Sequence, residues 1–171
     1  MKLKIKRLNK KAVLPSYAHQ GDAGLDLTAT SRVFDEFGNV SYGTGLAISV
    51  PEGHVGLLFP RSSNCKKDLL LSNAVGVLDS SYTGEVFFKY KPSAVFFDNE
   101  EAPEGKLGSD SLFAETIALP IEENWRTTQI YNIGDRIGQL IVIPYPIMEI
   151  EEVEELSITE RGTDGWGSTG N

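Results

Sequence analysis

The chain reads as an all-β domain of sandwich or barrel type, and three observations carry that reading. Short runs with strand character recur along it: KLKIKRL, GLDLTA, GLAISV, HVGLLF, GEVFFKY, SAVFF and QLIVIPY. No segment sustains apolar residues at i, i+3, i+4 and i+7 for three turns, so amphipathic helices are not expected. Glycine (17) and proline (8) are spread over all 171 residues and cut each run short.

Taken in order, KLKIKRL alternates Lys with Leu and Ile, the pattern of a charged strand at a sheet edge. In AGLDLTA, Leu25 and Leu27 share one face, which puts Asp26 on the other with Gly24 and Thr28, a face small enough to admit a ligand. The triplet PEG at 51–53 predicts a hairpin turn between GLAISV and HVGLLF, and DSSYTG at 79–84 predicts a second before GEVFFKY. The best helical candidate is a turn or two within SSNCKKDLLLS. Residues 98–128 break the rhythm: they hold eight carboxylates against two basic groups, and Pro103 and Pro120 interrupt any long helix. They are expected to be an insertion with modest structure of its own in a single β domain spanning 1–158. Residues 159–171 follow as an arm, with four glycines between Arg161 and Gly170 that leave neither helix nor strand.

Length and composition suit one soluble domain with a real core. A net charge of −8 argues against nucleic acid or an anionic membrane as partner. The charge is uneven, with six basic groups in residues 1–11 and six carboxylates from Glu149 to Glu160. No apolar run approaches the roughly 18 residues of a membrane span, and the start lacks the apolar block of a secretory signal, so a cytoplasmic protein is expected. The single Cys65 excludes an internal disulfide, and His19 and His54 have no companions at zinc-ligand spacing.

Three arginines sit in short stretches rich in small residues: Arg61 in FPRSSN, Arg136 in GDRIGQ and Arg161 in RGTDGWGSTG. Guanidinium forks beside Ser and Thr hydroxyls and glycine N–H groups are what a polyphosphate needs, although any one of them alone is an ordinary surface turn. Asp79 follows an apolar run and opens a turn. It is either an Asx-turn former or a carboxylate set at a cleft, where it could orient and deprotonate a water. Tyr82 reads equally as a hairpin packing residue.

In order, AGLDL, PRSS, SNAVGVLDSSYTGEV, DRIGQLIV and RGTDGWGSTG resemble the five motifs of the trimeric dUTPases, over residues 23–170. The resemblance implies a distorted β jelly roll of the β-clip type and a homotrimer whose active sites lie at subunit interfaces, each closed by a flexible C-terminal arm. It implies Mg²⁺-dependent hydrolysis of dUTP to dUMP and pyrophosphate, which keeps uracil out of DNA and supplies dUMP for dTMP synthesis. Asp79 would hold the deoxyribose 3′-OH and act as general base. Tyr82 would lie under the sugar and exclude a 2′-OH. Asn73, with main-chain groups of Val77, Leu78 and Phe87, would read the uracil. Arg61, Ser62 and Ser63 would grip the phosphates, Gln139 would contact the β-phosphate, and Asp26 would bind waters of a Mg²⁺ held mainly by the substrate. Trp166 would stack on the base, while Arg161, Gly167 and Ser168 close on the γ-phosphate. Ordering ten arm residues costs on the order of 10 to 20 kcal/mol of backbone entropy, so closure is expected only with substrate bound.

The sequence departs from the family pattern in places. Trp166 stands where Phe is usual, PRSS replaces RSG, Gly138 occupies a position often taken by Ala, and 57 positions separate Asp79 from Arg136. The 98–128 insertion accounts for that spacing and resembles those of phage-encoded members. Two alternatives are kept: an enzyme like dCTP deaminase, which shares the fold but has Trp after the Asp and no GWGSTG-like ending, and a regulatory role in which the insertion binds a protein partner.

Overall fold

The computed structural model describes residues 1–92, 118–121, 124–127 and 129–163. Two antiparallel sheets make up the body. The first runs β1 (Lys4–Arg7), β4 (Val40–Ser49), β8 (Glu85–Pro92), β6 (Leu69–Leu71), with β3 (Ser31–Phe34) also on β4. The second runs β2 (Leu25–Thr28), β11 (Arg136–Pro144), β5 (His54–Phe59), β7 (Gly76–Leu78). A separate two-stranded ribbon joins β9 (Ala118–Ile121) to β10 (Asn124–Thr127), inside the segment expected to be an insertion. The remainder of that segment, and SAVFF, lie outside the described residues.

Alternation explains the inner faces. On β8, Val86, Phe88 and Tyr90 point inward while Phe87, Lys89 and Lys91 face out. β4 is long enough, at 10 residues, to pair with β1 through Leu46–Ser49 and with β3 through Val40–Gly43 on the same side. Both sheets bury their inner residues against each other: Leu27, Tyr42, Leu46, Ile48, Phe88, Tyr90, Ile137 and Leu140 are fully enclosed. Three tyrosines anchor this core. The rings of Tyr42 and Tyr131 meet edge to face at 6.0 Å, and Tyr90 packs on both. The Tyr42 hydroxyl donates to the Tyr131 carbonyl (3.0 Å) and the Tyr90 hydroxyl to that of Ile137 (2.5 Å). Burial pushes the Tyr42 phenol up to about 12 and raises those of Tyr90 and Tyr131 as well.

The two turns expected to close hairpins are instead corners between sheets. Pro51–Gly53 carries the chain from β4 in the first sheet to β5 in the second, and residues 79–84 carry it back from β7 to β8. The pairs formed are β4 with β8 and β5 with β7, so one bent ribbon runs through both sheets in jelly-roll manner. The turn chemistry was as read; Gly53 has φ +72° and the His54 N–H donates to the Pro51 carbonyl at 3.1 Å. Local sequence specifies the reversal but not the partner strand. The helical expectation is met by a 3-10 helix over Ser62–Lys66.

Beyond β11 the described chain has no regular structure, and its apolar side chains face outward, Ile150 at 94% exposure and Ile158 at 100%. Among the described residues no helix is long and apolar enough to cross a membrane.

Candidate active site

Of the residues singled out as phosphate-binding, Arg61, Ser63 and Gln139 lie about Asp26, together with Arg136. β2 pairs with β11 so that Asp26 lies opposite Gln139, and β5 runs on through Phe59 and Pro60 to Arg61. Arg61 Nε donates to Asp26 Oδ1 at 2.7 Å and Arg136 Nη1 to Oδ2 at 2.9 Å, so one carboxylate spans two guanidinium groups. Arg61 also donates from Nη1 to the Ser63 hydroxyl at 3.2 Å, tying the fork to the 3-10 helix that begins at Ser62. Gln139 lies against Gly24, where a Cβ would stand 2.4 Å from Oε1.

Asp26 departs from its expected setting in one respect. The face that looked open to a ligand is filled by the two arginines, and Asp26 is only 6% exposed. Strand alternation gave the correct side of β2 but could not reveal that residues 35 and 110 positions away converge there.

The 3-10 helix is held from behind. The Tyr131 hydroxyl donates to Asn64 Oδ1 (3.1 Å), Asn64 Nδ2 to the Leu69 carbonyl (2.8 Å), and Lys67 Nζ to the Ile130 carbonyl (3.0 Å). Sequence reasoning missed Asn64 and Tyr131 because their contact joins segments 67 residues apart.

A pocket of about 220 Å³ opens between β7 and β8, where the two strands diverge into different sheets. Of the residues named as base-contacting, Asn73 and Phe87 line it and Val77 and Leu78 do not; Leu58, Gly76, Phe88 and Lys89 also line it, and sequence reasoning did not single them out. β7 is the last strand of its sheet, so one side of the Gly76–Leu78 backbone has no strand partner. Across the gap, β6 pairs with β8 only through Tyr90–Pro92, which leaves the same side of Phe87 without a strand neighbour. Gly76 from the one edge and Phe87 from the other both line the apolar cavity, an arrangement suited to a flat ligand with donors and acceptors on its edge.

Asn73 is presented by a strained turn. Ala74, which follows it, has φ +58°, a conformation a residue with a Cβ seldom adopts, and the Val75 N–H folds back to the Asn73 carbonyl at 2.5 Å. Asp79 is exposed at the end of β7, and its carbonyl accepts from the Tyr82 N–H at 3.1 Å. Tyr82 folds over Gly84 and donates its hydroxyl to the Glu85 carbonyl at 2.8 Å, leaving the ring 44% exposed instead of packed.

Neither Asp79, Tyr82 nor any member of the Asp26 cluster lines the pocket. Ser62 is exposed at the start of the 3-10 helix, and Arg161 lies in the exposed segment after β11. Trp166, Gly167 and Ser168 lie outside the described residues. Among the described residues no three His, Cys, Asp or Glu side chains are grouped to hold a metal.

An all-β body with this ordered set of motifs defines a nucleotide hydrolase. The chain belongs to the dUTPase family, whose model matches residues 10–94 and 118–170, and is a dUTP diphosphatase. The deoxyuridine 5′-triphosphate nucleotidohydrolase of Corynebacterium glutamicum is 38% identical over 170 residues, covering 98% of this chain and 94% of its own. The Staphylococcus bacteriophage 80alpha dUTPase with dUpNHpp superimposes with a TM-score of 0.71 at 29% identity, over 99% of both chains. The dUTPase from phage phi11 of S. aureus, visualised with a species-specific insert, gives 0.64 at 26% identity, over 91% of this chain and 98% of that one. The family match passes over residues 95–117.

Proposed function

We propose that the protein hydrolyses dUTP to dUMP and pyrophosphate through a water activated by Asp79. The observation that carries the reading is the pocket between β7 and β8, with Asn73 at its rim and the unpaired backbone of β7 leading directly to Asp79. Uracil enters this pocket and pairs with Asn73 and with main-chain groups of Val77, Leu78 and Phe87. Tyr82 lies beneath the sugar and leaves no room for a 2′-OH, while Asp79 holds the 3′-OH.

Asp79 takes a proton from the attacking water as its oxygen bonds to the α-phosphorus, and the bond to the α,β-bridging oxygen breaks to release pyrophosphate. A general base of this kind contributes roughly 10² to 10⁴ in rate. The larger share falls to charge stabilisation on the phosphates by Arg61, with Ser62 and Ser63 beside it and Gln139 on the β-phosphate. A Mg²⁺ ion brought by the triphosphate would supply further neutralisation of that charge. The donor set fits an ion brought by the substrate. Asp26 would hold the ion's waters: each of its oxygens accepts one guanidinium N–H and keeps a lone pair for a further donor.

The site is composite in a homotrimer. That the Asp26 cluster and the pocket share no lining residue supports phosphate groups donated by a neighbouring subunit, as do the exposed apolar side chains after β11, which need a cover. Residues 159–171 form the arm, with Arg161, Gly167 and Ser168 on the γ-phosphate and Trp166 on the base. The enzyme acts in the cytoplasm, where it supplies dUMP and keeps uracil from DNA.

The test is to incubate the protein with dUTP and with dCTP, with and without Mg²⁺, and to assay pyrophosphate against ammonia. Pyrophosphate from dUTP alone, stimulated by Mg²⁺, is the expected result; ammonia from dCTP would make the enzyme a deaminase. A single mass in solution other than three chains would remove the composite site.

A further inference from the structure

Tyr82 is 44% exposed, and its ring is tethered at the far end: the hydroxyl donates to the Glu85 carbonyl at 2.8 Å. A carbonyl points where its peptide plane points, so whatever fixes the chain at Glu85 aims the ring. The strand ladder does this poorly. Between the pairs Gly43 with Phe87 and Ala47 with Glu85, β4 inserts Thr44, Gly45 and Leu46 opposite Val86 alone, a bulge that interrupts the ladder at the start of β8. On its other side β8 pairs with β6 only through Tyr90–Pro92.

Glu85 closes the bulge with its own side chain. Its Oε1 accepts the Gly45 N–H at 2.7 Å, and the carboxylate lies over Gly43, where a Cβ would stand 2.7 Å from the same oxygen. Gly45 is buried with φ +66°, so its N–H needs an acceptor supplied by the protein. The Thr44 hydroxyl donates to the Val86 carbonyl at 2.8 Å. Two side chains, one from each strand, therefore seat the first residues of β8.

We propose that Glu85 is a positioning residue for the nucleotide: its carboxylate seats the start of β8 on the β4 bulge, and its carbonyl, so placed, holds the Tyr82 ring against the sugar. The proposal rests on the reading of Tyr82 as the group beneath the sugar. Glu85 itself need not touch the substrate. Without its carboxylate the buried Gly45 N–H loses its acceptor, and the backbone must shift to find another. The peptide at Glu85 moves with it, and the Tyr82 hydroxyl loses its anchor. A ring free to swing leaves space beside C2′ that a 2′-OH can enter.

The experiment compares kcat/KM for UTP and dUTP in the full-length protein and in Glu85→Ala, Glu85→Gln, Tyr82→Phe and the double variant Glu85→Ala with Tyr82→Phe. Glu85→Ala and Tyr82→Phe are each expected to raise the UTP/dUTP ratio by about fivefold, the worth of one hydrogen bond. Both act through the same tether, so the double variant should match either single one within about twofold. Glu85→Gln keeps an acceptor for the Gly45 N–H and is expected to bring the ratio back to within about twofold of the unaltered protein. A Glu85 that only stabilised the fold would change the amount of active protein and not the ratio. The proposal is therefore overturned by an unchanged ratio in Glu85→Ala, by effects that multiply in the double variant, or by Glu85→Gln behaving as Glu85→Ala does. If Glu85→Ala does not fold, Tyr82→Phe decides, and a ratio within about twofold of the unaltered protein overturns the proposal. Tyr82→Ala separates the two levels: an unchanged ratio there removes Tyr82 from the sugar altogether, and with it the ground on which Glu85 acts.

Discussion

Asp26 is the clearest case of a residue whose partners matter more than its position. Replacing it by Asn keeps the shape but removes the charge between Arg61 and Arg136, with Arg61 mostly covered and Arg136 half exposed. Asp26→Asn is expected to lower stability by about 2 kcal/mol, the value of a charge-assisted hydrogen bond, as read by chemical denaturation, and to raise KM for dUTP because both forks lose their anchor. Gly24→Ala acts on the same cluster from another side. The added Cβ would displace the flexible Gln139 side chain, so the melting temperature should barely change while KM rises. Asp79 is exposed and makes its observed turn bond through its main chain. Asp79→Asn should therefore leave folding and nucleotide binding intact and reduce kcat by roughly 10² to 10⁴, measured by single-turnover hydrolysis beside titration with a nonhydrolysable analogue. Equal loss of binding and rate would make Asp79 a structural residue. The residues offered as chemical could be singled out because their types are unusual for their settings; the partners they have in the structure could not, because a guanidinium reaching back across 110 positions leaves no local trace.

At the scale of elements, strand-like runs located β1, β2, the second half of β4, β5, β8 and β11, and burial alternates with period two on β5 and β8. β6 and β7, three residues each, and β3 were not legible: pieces so short are strands only because a neighbour pairs with them. The corners at 51–53 and 79–84 were legible as reversals and misread as hairpins, for turn residues specify local φ and ψ and the sheets are assembled by distant strands. That distinction matters for function, because a true hairpin would have paired β7 with β8 and closed the pocket. The segment after β11 yields a separable prediction. Removing residues 161–171 should abolish most turnover while the circular dichroism spectrum and the number of chains in the assembly stay unchanged, since the sheets end at Pro144. An unaffected rate would take the arm out of the mechanism.

Across the whole molecule, the two sheets meet on a tyrosine cluster whose phenols are protonated in the folded state well above their ordinary range. The direction of the effect on stability follows from where each state ionises. Unfolded tyrosines lose protons near pH 10, whereas folded Tyr42 holds its proton to about 12 and Tyr90 and Tyr131 are raised in the same sense. The preference for the fold is fully present below pH 10 and lost as pH rises toward 12. Alkaline titration should show the tyrosinate absorbance of this cluster appearing together with loss of the β signal; ionisation with the fold intact would mean the cluster is open to solvent. Composition and periodicity made the class of fold legible, while the assignment of strands to two sheets was not, since it depends on pairings such as β4 with β8 that no local window contains.

The unpaired rim of β7 has a consequence for handling as well as for catalysis. Its free N–H and C=O groups, flanked by an outward Val77 at 64% exposure, would accept a stray β-segment as readily as a heterocycle. If the base is taken there, nucleotide and intermolecular clumping compete for the same row of donors and acceptors, so saturating dUMP should slow turbidity on warming by more than its rise in the unfolding midpoint accounts for.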